Sequence, residues 1–156
     1  MERPVTPTTC ETQLRVRYAE TDQMGVVYHS NFIIWFEVGR VEALRQIGFA
    51  YKRLEEDGCH LPVVQLHCRY RAPAHYDDLI TVRTQIRRLR EGVVHFFYEV
   101  LRSENGQLLA EGDTLHFAVD EQGNRRAFPA KYMAALRKAV QPMADSTGGL
   151  RPSSPG

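Results

Sequence analysis

The run Arg15-Val16-Arg17-Tyr18-Ala19-Glu20-Thr21-Asp22-Gln23-Met24-Gly25-Val26-Val27-Tyr28-His29-Ser30-Asn31-Phe32-Ile33-Ile34-Trp35-Phe36-Glu37-Val38-Gly39-Arg40 decides how this chain is read. It predicts a strand, then a polar turn holding two acids, Glu20 and Asp22, then a helix opened by the cap-type pair Ser30-Asn31. Phe32 to Phe36 is apolar on every side, so the first turns of the helix are expected to be buried all round. Charge returns at Glu37, Arg40, Glu42 and Arg45, where i,i+3 pairs are available, and Gly48 is the expected C′ residue. A carboxylate beside a helix start places a base next to N–H groups that lack helical partners and can polarise a carbonyl. That combination suits hydrolysis of an activated acyl group.

Outward from this run, Thr12 to Tyr18 is the expected first strand. Beyond a short segment at Tyr51-Asp57, four runs alternate with period two. They are marked by Val64, Leu66, Cys68 and Tyr70; by Ile80, Val82, Thr84 and Ile86; by Val94, Phe96, Tyr98 and Val100; and by Leu109, Leu115, Phe117 and Val119. Such alternation predicts half-buried antiparallel strands, and Asn105-Gly106 predicts a hairpin turn between the last two. A terminal helix follows Pro129, with Tyr132, Met133, Leu136 and Val140 as its apolar stripe. The expected class is α+β, a curved sheet of about five antiparallel strands wrapped around one long helix. The pattern leaves the strand order open. Residues 1–11 read as a loose arm, 12–140 as the domain and 141–156 as a disordered tail.

A chain of 156 residues is long enough for one well-buried core. The formal charge of +1 argues against a nucleic-acid binder. Of the 20 cations, 17 are arginine, a bias better explained by overall composition than by phosphate binding. Cys10, Cys59 and Cys68 form no paired framework and no Cys-x-x-Cys. With no signal-peptide pattern and no apolar run of membrane-spanning length, a cytoplasmic location is expected. His60, His67 and Cys68 have the look of metal ligands. Neighbours on a strand point to opposite faces, so no metal site is expected there.

The stretch from Tyr18 to Phe32, with Trp35, Glu37 and Arg40 beyond it, resembles the hotdog-fold acyl-CoA thioesterases. The subgroup it is most similar to is the 4-hydroxybenzoyl-CoA thioesterase type, which includes bacterial short-chain acyl-CoA thioesterases found with the Tol-Pal envelope system. The similarity runs over residues 12–135 in element order as well as motif. It implies a hotdog fold, a five-stranded antiparallel sheet around one long helix. It also implies edge-to-edge homodimers, often paired into homotetramers, with active sites at the dimer interface. Joining the edges would pair an otherwise open strand. The implied reaction converts an acyl-CoA and water to a free acid and coenzyme A, with no metal or organic cofactor.

By that resemblance Asp22 matches the catalytic aspartate, acting as base on water or as nucleophile on the acyl carbon. A plain Asx-type turn is the local alternative for Thr21 to Gly25. The main-chain amide of His29 matches the N–H that polarises the thioester carbonyl; its imidazole either helps position substrate or has no chemical duty. Gly25 would let the backbone turn tightly and pass near the acyl carbonyl. Tyr18 is a candidate wall of the acyl pocket. Glu20 is a candidate to orient water, with a solvated turn acid as the simpler reading. Asn31 is a substrate-side candidate whose capping role alone would account for it. Glu37 is the second candidate acid, because another hotdog subgroup carries its carboxylate on this helix.

Arg87, Arg88 and Arg90, with Arg69 and Arg71, are candidate contacts to the phosphates of coenzyme A, against the alternative of a solvated sheet rim. Two other classes of function compete: a non-catalytic acyl-thioester-binding module or scaffold, and a hydratase or dehydratase, whose usual histidine signature is not apparent. Acyl carrier protein is an alternative thiol carrier. Phe32, Trp35, Phe36, Tyr70, Phe96 and Tyr98 could wall either a short aliphatic or an aromatic acyl group.

Overall fold

The computed structural model describes residues 9–140. It has five strands, β1 (Thr9–Arg15), β2 (Val63–Tyr70), β3 (Leu79–Arg90), β4 (Val93–Arg102) and β5 (Leu108–Phe117). Three helices accompany them, α1 (Ser30–Gln46), α2 (Tyr51–Glu56) and α3 (Ala130–Ala139). The strands form one antiparallel sheet in the order β1-β3-β4-β5-β2, and α1 lies across its inner face. The α+β class and the sheet around a long helix agree with the sequence reading.

Period-two alternation builds the core. Val82, Thr84 and Ile86 of β3 and Val94, Phe96, Tyr98 and Val100 of β4 are all buried on the α1 side. Phe36 of α1 is completely buried and stacks on Tyr98, with ring centroids 4.4 Å apart. The helix approaches β3 closely only because position 39 is glycine. A Cβ there would stand 2.6 Å from Thr84 Oγ1 and from Val82 Cγ1. The expected turn at Asn105-Gly106 joins β4 to β5: the Gly106 N–H donates to the Arg102 carbonyl at 2.8 Å, and Asn105 Oδ1 accepts from the Gln107 N–H at 3.0 Å.

A polar chain threads this core. Arg40 Nη1 donates to Tyr98 Oη at 3.2 Å, Tyr98 is 2.6 Å from Thr114 Oγ1, and Thr114 is 2.8 Å from His116 Nε2. His116 Nδ1 lies 3.0 Å from the Leu61 carbonyl. A carbonyl can only accept, so Nδ1 carries the proton and Nε2 accepts from Thr114. His116 is fully buried, and that burial, followed by the nearby Arg40 charge, lowers its pKa to about 4.

Besides burying Thr114 and His116 of β5 in place of the expected Leu115 and Phe117, the structure corrects the sequence reading at three places. The first strand begins at Thr9 and ends at Arg15, because its ladder with β3 runs from Thr9↔Gln85 to Arg15↔Leu79. Residues 9–11 therefore belong to the sheet, and Tyr18 falls in a single 3₁₀ turn, Tyr18–Glu20. The rest of the expected arm, residues 1–8, and the expected tail, 141–156, lie outside the described residues.

The start of α1 is not buried all round. Ile34 and Val38, four residues apart and so on one helix face, are 50% and 36% exposed. The sheet covers only one side of the helix within a single chain. The third correction concerns β2, which is an edge strand whose residues are mostly exposed on both faces rather than half-buried.

Candidate active site

Asp22 sits in a small closed loop between the 3₁₀ turn and α1. Thr21 bridges Val27, the Asp22 N–H donates to the Val26 carbonyl at 2.9 Å, and the Gly25 N–H donates to the Asp22 carbonyl at 2.9 Å. Asp22 Oδ1 accepts from the Met24 N–H at 2.9 Å and from the Val26 N–H at 3.4 Å. This is an Asx turn, and it orients the carboxylate rather than consuming it. Among the described residues Oδ2 has no hydrogen-bond partner. Gly25 holds φ +82, where an added Cβ would touch nothing, so glycine is needed there for conformation and not for space.

The loop is clipped to the start of α1 by Glu20. The Glu20 carbonyl accepts from the Tyr28 N–H at 2.8 Å and from Asn31 Nδ2 at 3.0 Å. Its carboxylate, 5% exposed as a residue, accepts from the Arg17 N–H at 2.8 Å, from Arg17 Nη2 at 3.3 Å and from Trp35 Nε1 at 3.2 Å. Glu20 is therefore neither a solvated acid nor a water-orienting group. Every contact its carboxylate makes is structural. The Asn31 amide nitrogen links the carbonyls of Glu20 and Tyr28 instead of capping the helix.

His29 occupies the N-cap position of α1 and is exposed. Among the described residues its main-chain N–H donates to no protein acceptor, as the first amides of a helix cannot bond within it. Tyr28 tilts over the His29 ring with centroids 4.4 Å apart. Tyr18 is 76% exposed and meets Tyr76 edge-on at 5.6 Å, forming an aromatic rim at this end of the sheet. A free carboxylate oxygen, a helix N-terminus with an unpaired amide and an apolar rim thus share one end of the fold.

Three of the candidate arginines, Arg87, Arg88 and Arg90, lie away from this group within the chain, whereas Arg69 and Arg71 flank Tyr70 at the end of β2. Leu79, at the start of β3, pairs with Arg15 next to the Asp22 loop, whereas Arg87, Arg88 and Arg90 lie towards the strand's other end. Eight residues of strand separate Leu79 from Arg87, roughly 26 Å at the usual rise. Arg87 instead covers Phe97 at 4.7 Å and bonds Gln85, facing a groove of about 530 Å³ on the sheet face away from α1. Arg83 in that groove is matched by Glu11 and Glu99, and Arg71 by Glu111. Glu37, the second candidate acid, is exposed on α1.

The thioesterase-like superfamily matches residues 16–139, which include the whole loop and helix just described. The chain is a member of that superfamily. This hotdog thioesterase domain is 32% identical over 126 residues to the acyl-CoA thioester hydrolase YbgC of Escherichia coli O157:H7, covering 80% of this chain and 93% of that protein. It is 31% identical over 122 residues to the 1,4-dihydroxy-2-naphthoyl-CoA hydrolase of Synechococcus, covering 74% and 80% of the two chains. Among solved structures, the DHNA-CoA thioesterase of Staphylococcus aureus superposes with a TM-score of 0.80 at 28% identity, over 83% of this chain and 89% of that one.

The sequence pattern offered no sign of two contacts that shape the domain's site. Glu20 and Trp35 are 15 residues apart, and Tyr70 donates to the His29 carbonyl across 41 residues. No local motif encodes either pairing.

Proposed function

We propose that the protein hydrolyses acyl-CoA thioesters, with Asp22 as base or nucleophile and the His29 main-chain amide polarising the thioester carbonyl. The observation that carries this reading is the free Oδ2 of Asp22, on a loop clipped to a helix N-terminus that offers an unpaired amide. As base, Asp22 takes one proton from water while the water oxygen bonds to the acyl carbon. As nucleophile, Oδ2 itself bonds to that carbon and water then cleaves the anhydride. In both routes negative charge collects on the carbonyl oxygen, where a helix-terminal N–H stabilises it. Collapse of that tetrahedral species breaks the C–S bond, which in the nucleophilic route is what forms the anhydride that water later cleaves, and the coenzyme A thiolate recovers a proton. A thiolate leaves readily, so neither a strong acid nor a metal enters the scheme.

The acyl group we propose is a short aliphatic or an aromatic one, as in the 4-hydroxybenzoyl-CoA thioesterase type that the motif resembles. Relatives named as an acyl-CoA thioester hydrolase and a 1,4-dihydroxy-2-naphthoyl-CoA hydrolase support that range. We further propose a homodimer, or a homotetramer built from dimers, joined through the uncovered β2 edge. Val63, Val64 and Leu66 on that strand are 45%, 44% and 38% exposed. The three cysteines are free thiols, in keeping with a cytoplasmic setting.

The test is thiol release from a panel of short, long and aromatic acyl-CoA esters, with wild type beside Asp22→Asn. Asparagine keeps the Asx turn and removes the base. Turnover present in wild type and lost in the variant supports the reading. Equal turnover in the two would reassign the chemistry to another carboxylate, Glu37 first.

A further inference from the structure

Tyr70 ends β2, and its phenol donates to the His29 carbonyl at 3.0 Å. Its ring meets Phe32 edge-on at 5.4 Å and the His29 ring at 6.2 Å. Phe32 is 3% exposed, so the Tyr70 ring rests on a fixed surface. The backbone of Tyr70 is fixed as well, because β2 is laddered to β5 through Tyr70↔Ala110. The sheet edge and the helix N-terminus are therefore joined by one phenol.

The acceptor matters more than the donor. The His29 carbonyl belongs to the same planar trans peptide as the Ser30 N–H, so holding the oxygen also aims the N–H in the opposite direction. Accepting a hydrogen bond further polarises that peptide and makes its N–H a better donor. Burial pushes the Tyr70 phenol up to about 12, so it remains protonated and able to donate at neutral pH. The Phe32 N–H also donates to this carbonyl, at 3.2 Å, but that bond is part of the helix and would persist without Tyr70.

We propose that Tyr70 is a positioning residue: its phenol, delivered from the edge strand, locks the His29–Ser30 peptide so that the Ser30 N–H stands beside the His29 N–H as a second donor to the thioester carbonyl. This rests on the thioesterase reading above and adds to it a residue 41 positions away that sets the strength of the amide site. Tyr70 makes its contacts with His29 and Phe32 and acts through the helix terminus.

Tyr70→Phe keeps the ring on Phe32 and deletes only the O–H. One hydrogen bond of ordinary net strength corresponds to a loss of about tenfold in kcat. KM is expected to stay within about twofold, and the pH profile unchanged, because Asp22 is untouched. A spectroscopic readout separates this from general loosening. With an acyl-CoA carrying ¹³C at the carbonyl, bound to Asp22→Asn so that it is not consumed, the carbonyl stretch is expected to move back towards its free value when Tyr70→Phe is added. Wild-type kcat in Tyr70→Phe, or an unmoved stretch in the double variant, would overturn the proposal. A wild-type protein that releases no thiol from any ester on the panel would overturn the thioesterase reading instead, so the two failures are distinguishable.

Discussion

The indole N–H of Trp35 donates to the carboxylate of Glu20 at 3.2 Å, which fastens α1 to the segment two residues ahead of Asp22. Trp35 is 1% exposed and Glu20 5%, so the bond is shielded from water. The Glu20 carbonyl holds the Tyr28 N–H on the other side of the loop. One residue therefore sets the spacing between the proposed base and the amide of His29.

Removing that carboxylate should both destabilise and disable the domain. In Glu20→Ala the Trp35 indole and the Arg17 amide lose their acceptor, a penalty of about 1–3 kcal/mol for the buried indole left unpaired. Urea denaturation should show that loss, together with reduced turnover. Asp22→Asn should lose turnover while its urea midpoint stays close to wild type. Equal stability of Glu20→Ala and wild type would show that the clip is dispensable.

Gly25→Ala probes the loop's conformation without changing its chemistry. Its φ of +82 disfavours an L side chain, although an added Cβ meets no neighbour. The strain is about 1–2 kcal/mol. Because the exposed loop can yield, kcat is expected to fall by a larger factor than the melting temperature suggests. Steady-state kinetics beside a thermal melt gives the comparison.

The β2 edge predicts an oligomer that a single charge should break. Leu66 is 38% exposed and outside the buried core, so Leu66→Lys should fold while placing a cation on the open edge. Light scattering after gel filtration should show a dimer or tetramer for wild type and a monomer for the variant. Turnover should fall with the oligomer, since the family resemblance puts the site at the interface. A wild-type monomer would contradict this assembly.

His116 makes stability pH-dependent in a defined window. In the unfolded chain a histidine takes a proton near pH 6.5, whereas folded His116 resists protonation down to about 4. Between those values the unfolded chain binds the extra proton and is favoured, so stability falls as pH drops through the window and this contribution is complete above it. The shift corresponds to a loss on the order of 3 kcal/mol. Arg40, His95 and the phenol of Tyr98 are the charged or titratable groups around the ring, and Arg40 and His95 oppose its protonation. Denaturant midpoints from pH 7.5 to 4.5 should fall in wild type, and the fall should shrink in His116→Gln.

The sequence by itself determined the elements and marked the turn that carries Asp22. Alternation along Ile80 to Ile86 and Val94 to Val100 marks buried strand faces, because a pleated strand must sort its side chains in twos. Asn105-Gly106 marks a hairpin for equally local reasons, and the ordered run from Tyr18 to Phe32 located Asp22, Gly25 and His29. What only the tertiary structure decided depends on neighbours distant along the chain. Periodicity says that a face is buried, not what buries it, so the exposure of Ile34 and Val38 and the edge position of β2 emerged only with the sheet order. Glu20 looked like a solvated acid until Trp35 closed over it. Arg87 stood in the sequence as a candidate phosphate contact with no position attached, and only the β1–β3 register set it at the far end of its strand from Leu79. Tyr70, one of several aromatic residues in the sequence, acquired its contact with His29 because β2 pairs with β5. Local sterics and alternation are written residue by residue; long-range pairing exists only once the chain has closed on itself.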